Sequence, residues 1–165
     1  ANKLASPLGW HTTDSANTYN ETRGNNVVAS ENHEGDYGRW RDNYRPKGTM
    51  TKNGLTFDFP LSLKQEPSEY VDAAVTNLFY WNNMLHDFYY QYGFTEEAGN
   101  FQNNNLDRGG KGGDGVIASA QDGSGYNNAN FATPPDGGHG KMRMYVWNGI
   151  KPYRDGDLEG GIITH

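Results

Sequence analysis

At 165 residues with no cysteine, the chain excludes a disulfide framework, thiolate metal ligands and a cysteine nucleophile, yet is long enough for one domain with a real core. The formal charge is -6 and no run of Lys or Arg stands out, which excludes nucleic acid as an expected partner. No apolar stretch approaches the ~20 residues of a membrane span, and no signal peptide is seen, so a mature or excised piece is expected.

Only 34% of residues are hydrophobic, mean hydropathy is -0.92, and there are 22 glycines, so the domain is expected to be rich in loops. Aromatics at 13% supply large buried areas that offset the shortage of aliphatics and argue against disorder. Residues 1–54 read as loops and short strands, with apolar touches at Trp10, Val27-Val28 and Trp40. They include one N-glycosylation sequon, Asn20-Glu21-Thr22, which matters only on a secretory route. Leu55 to Phe59 alternates apolar and polar residues and predicts a strand.

The clearest element is a helix from about Ser68 to Tyr92. Val71, Val75, Leu78, Asn82, Leu85, Tyr89 and Tyr92 follow the spacing of one buried face, widened by Ala74, Phe79, Trp81 and Phe88. Pro67 suits its first turn, and Gly93 is placed for a left-handed C-cap with Phe94 packing back on Tyr89. Asn103 to Gly115 is a loop too polar to be buried. Its Gly109–Gly113 run lacks the preceding strand and following Ser or Thr of a phosphate loop. Val116–Ala120 and Lys141–Trp147 read as strands, and the element order predicts an α+β domain.

Four segments could carry chemistry. His86-Asp87 lies in the helix, where neighbours point about 100° apart, so His86 reads as a satisfied core or groove residue rather than a base held by Asp87. Asp155-Gly156-Asp157-Leu158-Glu159-Gly160 resembles the start of a calcium loop but breaks its pattern at Glu159, and reads first as a solvated acidic turn. Asn127-Asn128-Ala129-Asn130-Phe131 reads as a polar turn running into a strand. Gly160-Gly161-Ile162-Ile163-Thr164-His165 looks like the opening of a zinc-peptidase helix, in which His-Glu-x-x-His sets two imidazoles on one face. Its Glu and second His would fall at the first and fourth positions past His165.

Several ordered segments together are more specific than any one motif. They include Ala5-Ser6-Pro7-Leu8-Gly9-Trp10-His11, Thr22-Arg23-Gly24-Asn25-Asn26, Asn43-Tyr44-Arg45-Pro46 and Asp72-Ala73-Ala74-Val75. Ala98-Gly99-Asn100-Phe101-Gln102, Ala120-Gln121-Asp122-Gly123-Ser124-Gly125 and Gly161-Ile162-Ile163-Thr164-His165 continue the series. Over nearly its whole length the chain resembles a fungalysin-type secreted metallopeptidase, a relative of thermolysin.

That resemblance implies a single subdomain over residues 1–165, the N-terminal half of a two-subdomain catalytic region, with a mixed sheet and one long buried helix. It implies His165 as the first zinc ligand, with the general base and remaining ligands supplied by the C-terminal half, so that this chain alone would be inactive. Asn128 would bind substrate main chain through its amide and Ala129 through its backbone, on an edge strand lining the cleft. Asn130 stands before Phe131 where thermolysin has an aromatic, which weakens the case for a Phe131 contact. Gly161 occupies the place of a calcium-binding Asp in relatives, so Ca2+ is only a minor expectation. Peptide and protein substrates, an inhibitory propeptide and an extracellular setting are further implications. The competing class is a secreted carbohydrate-binding module, which the composition permits but the long apolar helix disfavours.

Overall fold

The long helix appears in the computed structural model, which describes residues 1–165, as a 3-10 turn at Pro67–Tyr70 leading into α1, Val71–Tyr90. Gly93, at φ +100, ends it as a Schellman motif: Phe94 N–H donates to Tyr89 O at 3.1 Å and Gly93 N–H to Tyr90 O at 3.2 Å. The Phe94 ring takes Phe101 as its aromatic partner, at 6.2 Å.

Ala74, Val75, Leu78 and Phe79 are buried, as the periodicity predicts. The C-terminal half departs from it. Tyr89 and Tyr92 are 46% and 77% exposed, while Asn83 and Asp87 are buried in their place. The reason is the N-terminal segment, which lies across this part of α1. Asp87 accepts from Asn2 N–H at 2.6 Å, the Ser6 hydroxyl at 2.5 Å and the Trp10 indole at 2.9 Å. Asn83 accepts from Asn26 at 3.0 Å. Burial pushes the Asp87 carboxyl up, but hydrogen bonds from His86, Ser6, Asn2 and Trp10 outweigh it and hold the group at about 2.

α1 covers one face of a four-stranded sheet with order β1-β4-β6-β5. These strands are β1 (Val27–Glu31), β4 (Val116–Ala120), β6 (Lys141–Met144) and β5 (Ala129–Ala132). β1, β4 and β6 run parallel and β5 is antiparallel to β6. β4 is buried at every residue, which explains its unbroken run of small and apolar side chains. Val27, Ala29, Ala118, Met142 and Met144 meet Val75, Leu78 and Phe79 of α1 in the core. Truncating Leu78, fully buried there, costs about 2–5 kcal/mol.

Three predicted segments come out differently. Lys141–Trp147 breaks at the buried Tyr145, so β7 (Val146–Trp147) pairs instead with β8 (Arg154–Asp155). The Leu55–Phe59 strand shortens to β3 (Gly54–Thr56), which pairs with β2 (Thr49–Thr51). Phe57 then leaves the ladder to stack on His11 at 5.2 Å. The 103–115 loop is not wholly surface. Asp114 is fully buried and accepts from the backbone N–H of Gln102 and Gly137. Gly110, at φ +61, lies so close to the Glu96 carbonyl that no side chain would fit.

Candidate active-site cleft

A cleft of about 810 Å³ opens between the C-terminal half of α1, the strand pair β5–β6, and α2 (Gly160–Thr164). Its walls bring together Asn128, Ala129 and His165, the three residues singled out from the sequence. Leu85 and Tyr89 of α1, with Phe94 and Phe101, make it largely apolar. Phe131 also lines it, 5.8 Å from Phe101, so it belongs to the wall despite the intervening Asn130.

β5 is the free edge of the sheet and is exposed along Asn130–Ala132. Tyr145 N–H donates to Asn128 O at 3.3 Å, marking 128/145 and, by alternation in this register, 130/143 as hydrogen-bonded pairs. The backbone N–H and C=O of Ala129 and Phe131 therefore point away from β6, where an extended peptide could pair with them. In the free protein the exposed Asn128 side chain accepts the Ala129 N–H at 2.8 Å. Asn128 thus covers one edge donor that an incoming strand would use.

His165 follows α2 directly. Gly160 and Gly161 weaken the first turn of α2, and burial and capping fix its start. Ile163 is buried in the core, and the Glu159 carboxylate caps Gly161 N–H at 2.9 Å. The His165 imidazole is exposed and lines the cleft.

The residues before α2 correct the reading of a solvated acidic turn. Asp155 and Asp157 are both buried, and only Glu159 does the expected capping from the surface. Asp155 accepts from Asp157 N–H at 2.9 Å and from the Gln121 amide at 2.6 Å. Asp157 accepts from Gln121 N–H at 2.9 Å, and its own carbonyl accepts from Asn77 of α1 at 2.7 Å. This brace ties α2 to the end of β4 and to α1. Burial, reinforced by the adjacent Asp155, pushes the Asp157 carboxyl well above the usual range. No three His, Asp or Glu side chains converge as a metal-ligand set, here or elsewhere in the chain.

His86 also faces the cleft. Contrary to the helical-spacing expectation, its Nδ1 lies 3.2 Å from Asp87, while Nε2 lies 2.9 Å from Gln102 Oε1. Both ring nitrogens are thus engaged, which suits a satisfied groove residue. No sequence signal marked Gln121 or Asp157 as the supports of His165, because their pairing spans 36 residues and is polar.

The fungalysin metallopeptidase family matches the chain over residues 1–165. Extracellular metalloproteinase 2 of Trichophyton tonsurans is 53% identical over 160 residues, covering 97% of this chain and 24% of that protein. Its namesake in Arthroderma otae is 55% identical over the same shares. Extracellular metalloproteinase 1 of Arthroderma gypseum is 54% identical over 167 residues, 99% of this chain and 25% of that protein. The chain thus spans about a quarter of the length of these relatives. With its whole length matched, the chain belongs to the fungalysin metallopeptidase family.

Proposed function

We propose that the protein is a secreted zinc-dependent endopeptidase and that residues 1–165 form the N-terminal subdomain of its catalytic region. The observation that carries this reading is the meeting of an exposed His165 with the free edge of β5 across one cleft. The relatives' names, extracellular metalloproteinases, support both the metal and the extracellular setting. No helix is long and apolar enough to cross a membrane.

An exposed imidazole beside an apolar cleft fits a zinc ligand, and His165 is the one ligand this subdomain would supply. When bound, zinc lowers the pKa of a coordinated water towards ~7 and polarises the scissile carbonyl. The other tasks fall to this chain's residues. Ala129 and Phe131 hold the substrate backbone in register along β5. The Asn128 amide releases Ala129 N–H and turns to the substrate main chain. Leu85, Tyr89 and Phe101 exclude water from the bound segment, and the Asp155–Asp157 brace fixes the base of α2. The remaining ligands, the general base and the rest of the cleft belong to the C-terminal half, with an inhibitory propeptide covering the cleft before maturation. No feature of the fold or of the relatives favours the carbohydrate-binding alternative.

The test is hydrolysis of a denatured protein by the full-length enzyme, with and without a zinc chelator. Activity lost on chelation and restored by zinc is expected. Hydrolysis unaffected by chelation, or absent in zinc, rejects the reading.

A further inference from the structure

The face of the sheet opposite α1 carries a patch that the peptidase reading does not use. Met142 and Met144 of β6 point into the core, so the alternating Lys141 and Arg143 stand on the outer face. There both lie over the Tyr37 ring, with Lys141 Nζ at 5.1 Å and Arg143 Cζ at 4.5 Å from its centroid. Tyr37 lies over the strands and donates to the Ile117 and Met142 carbonyls at 3.3 and 3.4 Å. Three residues on from Tyr37, the Trp40 ring is covered by Arg41 at 4.3 Å and meets His139 edge-on at 5.3 Å.

None of Arg41, Lys141 and Arg143 has a carboxylate within ion-pair distance. The nearby Arg39 and Glu34 neutralise one another at 2.6 Å. Asp122, a buried acid whose charge acts on Tyr37, already accepts from Asn32 and Ser124. On a chain of net charge -6, Lys141 and Arg143 over one ring and Arg41 over another give this face three cations outside any ion pair.

Register connects this patch to the cleft. Asn130 pairs with Arg143 and Ala132 with Lys141 across β5–β6. A peptide added to the free edge of β5 alternates its side chains between the two faces. Half lie in the cleft with Ala129 and Phe131, and half lie on the outer face beyond Asn130 and Ala132. Two strand spacings, about 10 Å, then separate those outer side chains from the backbone of Lys141 and Arg143. That gap is within reach of a long cation and a Glu, and Ala132 puts no bulk in the way.

We propose that Lys141 and Arg143, extended by Arg41, form an exosite for acidic side chains of a protein substrate, selecting Asp or Glu at alternate positions of the segment paired with β5. This rests on β5 being the substrate-pairing edge. A polypeptide fits better than an anionic glycan, because the faces of Tyr37 and Trp40 that a sugar would stack on are covered by the cations.

The test uses the full-length enzyme and a neutral peptide that it cleaves, with Glu introduced at alternate positions in either of the two registers. In one register KM is expected to fall about fivefold, with kcat little changed, the size of a few screened surface pairs. Added salt abolishes the gain. The double variant Lys141→Gln/Arg143→Gln loses the gain but cleaves the neutral peptide normally, and Arg143→Glu reverses the preference for Glu. Equal KM in both registers, or a Glu preference that survives the double variant, overturns the proposal. Retention on heparin that falls in the double variant while peptide KM stays fixed overturns it too, in favour of a glycan site. If no peptide is found that the full-length enzyme cleaves, the peptidase reading itself fails, and the exosite falls with it.

Discussion

The side-chain amide of Gln121 donates to the carboxylate of Asp155 at 2.6 Å, joining the end of β4 to the segment that launches α2. Gln121 is 2% exposed, sits at φ +46, and also donates to the Pro67 carbonyl at 2.8 Å. One strained, buried residue therefore holds the base of the helix that carries the proposed zinc ligand. Gln121→Ala leaves buried acceptors unpaired, at a cost of about 2–4 kcal/mol. Denaturant unfolding of the full-length protein should show that loss, together with weaker zinc retention. A variant of unchanged stability would remove Gln121 from the brace.

Asp157 gives a pH dependence whose sign is fixed by its environment. Burial and Asp155 raise its folded pKa above the unfolded value of 3.8. The folded state therefore holds this proton more tightly. The stabilisation is fully present below about pH 4 and is lost as pH rises through the folded pKa. Asp157→Asn keeps an acceptor for Gln121 N–H without a charge to bury. Thermal unfolding should find this variant more stable than the parent at neutral pH, with the gap closing towards pH 4. A variant less stable at every pH would contradict the raised carboxyl pKa.

Asp87 behaves in the opposite sense. Held at about 2, it contributes stability present above its unfolded pKa of 3.8 and lost as pH falls towards 2. Asp87→Ala strands the Asn2, Ser6 and Trp10 donors at a cost of about 3 kcal/mol. Limited proteolysis should then cut first within residues 1–10. Unaltered cleavage there would show that the segment is held by other contacts.

On the edge strand, Asn128 is exposed and its side chain engages only its neighbour's N–H. Asn128→Ala should leave unfolding unchanged while lowering kcat/KM on peptides by about tenfold, the value of one hydrogen bond of ~1.4 kcal/mol. Kinetics indistinguishable from the parent would take Asn128 out of substrate binding.

How much of this was legible beforehand follows a physical line. α1 and β4 announce themselves because apolar side chains at helical spacing, or in an unbroken run, report burial directly. Asn83, Asp87 and Asp157 do not, since a buried polar residue looks like a surface residue until its partners are known, and those partners lie far along the chain. The end of β6 at Tyr145 was hidden for a related reason: alternation runs on through Trp147, while Tyr145 bonds Asn128 and Gly156 through its backbone. Asn128, Ala129 and His165 are singled out as site residues by the family resemblance. Nothing in their spacing shows that β5 and α2 face one another.

The most direct test of the central claim is the zinc content of the full-length protein and of its His165→Ala variant, measured beside their hydrolysis of a denatured protein. About one zinc per parent molecule is expected, with both metal and activity lost in a variant that still folds. A folded His165→Ala protein that keeps its zinc and its activity would contradict that claim.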